Sequence, residues 1–139
     1  MLLASALLAG CAVIGGETIA MSALNAGAPT VVSHSMSGAA YRTFSVAATE
    51  VKVAALSALG RMGFEVKAMR VEKNGEVIEA ETQERRIEVG VEPISAKATR
   101  LRVVAKAGVF SYDTATAAEI VVQTEKSINA REAVTAQRS

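Results

Sequence analysis

The chain of 139 residues contains one cysteine, one histidine, two prolines and no tryptophan. A single cysteine excludes an intramolecular disulfide framework and any zinc site built on several thiolates. The single histidine, His34, lies between two serines with no acidic neighbour, which removes Ser-His and Cys-His nucleophile schemes from the folded part of the chain. HExxH, GxSxG, CxxC and phosphate-loop patterns are all missing, so no metal, cofactor or nucleotide is expected. An excess of charge of one sign is missing too. The formal net charge is +1 and bases interleave with acids, so no long-range field would gather nucleic acid or an anionic membrane surface.

Charge is unevenly placed along the chain. The first basic side chain is Arg42, and before Glu50 the only acid is Glu17. The two ends therefore meet different environments. The opening run Met1-Leu2-Leu3-Ala4-Ser5-Ala6-Leu7-Leu8-Ala9-Gly10-Cys11 has the layout of a signal-peptide apolar region meeting its cleavage site. It is too short to span a bilayer, which takes about 20 apolar residues.

Leu8-Ala9-Gly10-Cys11 resembles the lipobox of bacterial lipoproteins, in which a peptidase cuts before a cysteine that already carries diacylglycerol. Small residues before the cut let the extended backbone fit the peptidase, and the thiol is the nucleophile that accepts the lipid. The resemblance implies a signal peptide over 1–10, a lipidated Cys11, and a membrane partner engaged through acyl chains. Each buried methylene contributes about 0.8 kcal/mol, so several chains hold a protein on a membrane essentially permanently. By resemblance to lipoproteins of two-membrane bacteria, Ala12 after the cysteine, in place of Asp, favours the outer membrane. No Lys or Arg precedes the apolar stretch, a departure from the usual pattern that leaves the positive charge to the terminal amine. The competing expectation is one uncleaved membrane helix from Met1 to about Leu24. Gly15-Gly16-Glu17 argues against it, since a charge at mid-helix costs about 2.5–3.5 kcal/mol on insertion scales.

Residues 11–40 read as the lipidated cysteine and a Gly, Ala and Ser-rich tether that includes His34. The domain proper is expected over 41–129, with a polar, fraying tail over 130–139. Tyr41 to Val46 alternates as a strand. Thr49 is the expected N-cap of a helix over 50–62, with Val51, Ala55, Ala58, Leu59 and Met62 on one stripe and Gly63 as its stop. Four strands follow: one from Phe64, a second over 77–82 after the Lys73-Asn74-Gly75-Glu76 turn, a third through Ile87, Val89 and Val91 that Pro93 ends, and a fourth over 99–106. Slipped alternation at Ala68-Met69-Arg70 suggests a bulge. Asp113 is the expected N-cap of a last helix whose buried face is Ala117, Ile120, Val121, Thr124 and Ile128. These elements combine most economically as a two-layer α+β sandwich, an antiparallel sheet of about five strands with two helices on one face.

The lipobox, the AALSALGRMGFEV junction, the Asn-Gly hairpin and the run ATRLRVVAKAGVFSYDTATAAEIVVQTEKSI together resemble a domain-of-unknown-function family of small proteobacterial lipoproteins. There a threonine-led strand enters a Gly-Phe-Asp-like turn and then the last helix. Here the turn, Gly108 to Asp113, is slightly longer. The resemblance implies fold and envelope location and carries no activity.

Carboxylates and cations remain as candidates for chemistry. Glu79, Glu81 and Glu84 read better as a solvated charge ladder than as an acid-base pair. Arg85 and Arg86 would suit a phosphate or carboxylate, and equally a charged turn. Phe110 and Tyr112 would form an exposed recognition patch unless they fill the core edge, which their exposure decides. The expectation is thus a non-catalytic, lipid-anchored domain on the periplasmic side that binds another envelope protein or supports envelope assembly. The alternatives are a small-molecule binding module with a pocket between helices and sheet, and an accessory subunit held by an uncleaved helix.

Overall fold

The computed structural model describes residues 32–138. Along the chain run β1 (Ser33–His34), β2 (Ala40–Phe44), α1 (Ala48–Arg61), β3 (Glu65–Glu72), β4 (Gly75–Glu81), β5 (Arg85–Ser95), β6 (Ala98–Ala107) and α2 (Thr114–Arg138). The strands form one antiparallel sheet in the order β1-β2-β6-β5-β4-β3. Four successive strands make the meander. β2 closes its far side against β6, with Tyr41 opposite Arg102, so α1 must carry the chain across the sheet to the opposite edge.

Both helices lie on one face, the α+β sandwich that the alternation implies. Ile78, Val89, Leu101 and Val103 project from the sheet into a core completed by Val51, Ala55 and Leu59 of α1 and by Ile120 and Val121 of α2. Ala54, Ala55 and Ala58 of α1 and Ala117 of α2 are fully buried, and their small side chains suit close packing of the helices. Two buried hydroxyls keep their hydrogen bonds: Thr99 Oγ1 donates to the Val46 carbonyl at 2.9 Å, and Thr124 Oγ1 to the Ile120 carbonyl at 2.8 Å.

Several local expectations are corrected. A sixth strand exists because His34, assigned to the tether, pairs with Ala40 in β1. Helix α1 begins at Ala48 with Ala47 at the N-cap, which places Thr49 inside the first turn; no side chain caps that end. Pro93 does not stop β5. It pairs with Thr99 beyond the last β4 partner, Glu76 opposite Val91, where β5 has become an edge on that side and its missing N–H costs little. The residues after Asn129 continue α2 to Arg138, because alanine, arginine, glutamate and glutamine there are good helix formers although no apolar stripe buries them. The bulge stands one step earlier than the slipped alternation suggests, between Val66 and Ala68.

Candidate functional site

Three connections gather at the end of the sheet where β6 passes into α2: the turn from Ser35 to Gly38, the turn from Thr82 to Glu84, and the loop from Gly108 to Tyr112. The last is pinned by its own backbone. Ala107 N–H donates to the Ser111 carbonyl at 2.8 Å, Asp113 N–H to the Ala105 carbonyl at 2.8 Å, and Tyr112 bridges back to Lys106. Asp113 then caps α2, accepting from the Thr116 N–H at 2.9 Å and the Thr116 hydroxyl at 2.7 Å, and binds Arg85 Nε at 2.6 Å. These bonds, from Thr116 first and Arg85 next, hold the Asp113 carboxyl down at about 2.

Pinned in this way, the loop projects side chains outward. Phe110 is 95% exposed, Val109 80% and Tyr112 51%, while Met36 on the neighbouring turn is fully exposed. Tyr112 packs where Gly38 leaves room, and Lys106 Nζ lies 5.5 Å from the centre of its ring.

On the sheet face away from the helices, cations and acids alternate across strands. Lys67 meets Glu65 and Glu81, Arg70 meets Glu72, Glu79 and Glu88, Arg100 meets Glu92 at 2.7 Å, and Arg102 meets Glu88 at 3.3 Å. Arg86 and Lys106 are the exceptions. They stand directly opposite each other on β5 and β6, both exposed, and neither forms an ion pair among the described residues. Both line a shallow hollow of about 430 Å³ on this face, walled on one side by Ser37 and Tyr112 and on the other by Glu79, Glu81 and Glu88 of the charge ladder. Both also border a second hollow with Thr82, Gly108 and Val109, so the cation pair adjoins the exposed loop.

The residues singled out from sequence therefore divide. Glu79 and Glu81 take part in the solvated ladder, and exposed Glu84 lies 3.8 Å from Arg85. Arg85 is committed to Asp113, which raises its own pKa, whereas Arg86, between Glu81 on β4 and Lys106 on β6, forms no ion pair among the described residues. Phe110 and Tyr112 do not fill the core edge; they face solvent. His34 is exposed on β1, and among the described residues no group of three or more His, Cys, Asp or Glu side chains is placed to hold a metal ion. Leu8, Ala9, Gly10 and Cys11 lie outside the described residues, as does the competing helix up to Leu24. No helix among the described residues is long and apolar enough to cross a membrane.

Sequence reasoning missed Met36, Val109 and Lys106. Met36 hides in a Gly and Ser-rich stretch without period, and Lys106 looks like one more member of an alternating strand. Only strand register reveals that it faces another cation. Compared with known proteins, the chain matches no family model and no curated protein sequence.

Proposed function

We propose that this chain is a non-catalytic envelope lipoprotein, anchored through acyl chains on Cys11 and using its α+β domain to engage another envelope component. The observation that carries the engagement is the cluster of exposed apolar side chains, Met36, Val109, Phe110 and half-exposed Tyr112, at one end of a well-filled domain. A pinned loop that presents a phenylalanine to solvent is otherwise unfavourable, and a binding surface accounts for it. The anchor is supported by Leu8-Ala9-Gly10-Cys11 at the end of an apolar run in a chain with no other cysteine. Support for a non-catalytic role comes from the side chains themselves. Asp113 is engaged by a helix N-terminus and an arginine, and Glu79 and Glu88 of the ladder face cations, so these carboxylates serve structural contacts.

A small-molecule module would need a hollow between the layers, where Leu59, Ile78, Leu101 and Ile120 are fully buried core side chains. Metabolic labelling with radioactive palmitate tests the anchor: wild type incorporates label and Cys11→Ser does not. Label in both, or in neither, removes the reading.

A further inference from the structure

The loop end also identifies the component it engages. We infer that it is a second membrane contact: Met36, Val109 and Phe110 enter the interfacial layer of the bilayer that holds the anchor, while Arg86 and Lys106 face anionic lipid headgroups. This rests on the lipid-anchor reading and adds the partner to it.

Two independent features point to a bilayer. The apolar side chains stand at the tips of two neighbouring connections, almost fully exposed, where they protrude from the surface. Protruding aliphatic and aromatic tips suit insertion into the boundary between headgroups and acyl chains, and match a flat protein surface poorly. Beside them, Arg86 and Lys106 are like charges at directly opposed sheet positions, an arrangement that is unfavourable by itself. The four other cations on that face all have acids in reach. Glu81 stands opposite Arg86 on the β4 side, so an anionic headgroup placed between Arg86 and Lys106, on the side away from Glu81, relieves their repulsion and gives both a close anionic partner.

Overall charge does not oppose this. At net +1 the chain feels little long-range pull, but an anchor on the same chain makes the second contact intramolecular, and a weak, short-range attraction then suffices. Lys106 is held in place by the Tyr112 ring and the tip by its backbone bonds, so little ordering is lost on docking.

The chain contains no tryptophan, so a single indole can report each position. The full-length gene carrying Phe110→Trp is expressed, and the membrane-extracted product is reconstituted into vesicles of phosphatidylethanolamine with phosphatidylglycerol, or with phosphatidylcholine, each containing brominated acyl chains. Ile94→Trp serves as the control, since Ile94 is also exposed to solvent, at the opposite end of the sheet. The expected result is blue-shifted emission and several-fold stronger quenching for Phe110→Trp than for Ile94→Trp. Phosphatidylglycerol should favour the contact roughly thirtyfold over phosphatidylcholine, at about 1 kcal/mol for each of the two cations near an anionic surface. Adding Arg86→Ala and Lys106→Ala to the Phe110→Trp chain should erase that preference. Equal quenching at both positions, or a Phe110→Trp shift that requires added envelope proteins, overturns the inference. The intact mass of the same preparation separates the two layers of argument. An acylated mass with no difference between probes refutes the docking alone, and an unmodified full-length mass refutes the anchor whatever the probes show.

Discussion

Asp113 concentrates more local structure than any other side chain at the loop end. It ends the loop, caps α2 and ties β5 to the helix start through Arg85. Its side chain is 16% exposed, so its interactions are only partly screened. Asp113→Ala should cost about 1–2 kcal/mol of stability, read as a lowered urea midpoint. Asp113→Asn should cost less, because asparagine still caps, while the Arg85 ion pair is lost. The two also differ in acid. The carboxyl titrates at about 2 in the folded chain against 3.8 ordinarily, so its stabilisation is complete above pH 4 and is lost as pH falls towards 2. Unfolding followed against pH should therefore show a shallower acid limb for Asp113→Asn than for wild type; identical limbs would contradict the assignment. Gly38 sets the other wall of the site. Its φ is +83°, and a Cβ there would stand 2.7 Å from Tyr112 Cγ. Gly38→Ala should lower the thermal midpoint through about 1–2 kcal/mol of left-handed backbone cost, with the displacement of Tyr112 added to it.

Among the elements, burial and charge make unequal contributions, and β6 with β3 provides the contrast. Leu101 in β6 is fully buried between sheet and helices, so Leu101→Ala should cost about 2–5 kcal/mol in denaturant unfolding. Arg70 in β3 has three carboxylate partners, yet it and they are nearly half exposed, so Arg70→Ala should cost below about 1 kcal/mol. A reversed order of these two values would contradict the core assignment. The charges of β3 fit another role. Val66, Met69 and Val71 leave this edge strand partly apolar, and Glu65, Lys67, Arg70 and Glu72 with the bulge beside Val66 discourage another strand from pairing with it.

Elements with a buried face were legible in the sequence. Alternation at Ile87, Val89 and Val91 located β5, and helical spacing from Ala117 to Ile128 located α2, because burial on one face imposes a period. What escaped has no such imprint. β1 is two residues held by β2, α1 starts without a capping side chain, and the last turns of α2 bury no apolar stripe. The candidate site was half legible for the same reason. Phe110 and Tyr112 attract notice as aromatics in a chain with few, whereas the cation pair exists only through the register of β5 and β6.

At the scale of the whole molecule, the chain combines an apolar amino-terminal run, a domain with both helices on one side of an antiparallel sheet, and exposed apolar tips collected at one end. The proposed lipid anchor on Cys11 would give that asymmetry a purpose, since a domain held at a membrane meets its partners from a restricted side. Mass spectrometry of the intact protein from a membrane fraction, wild type against Cys11→Ser, tests this most directly. The account predicts a wild-type chain that begins at Cys11 and carries acyl groups, with the variant unlipidated. A wild-type chain that keeps Met1 and bears no lipid would contradict it.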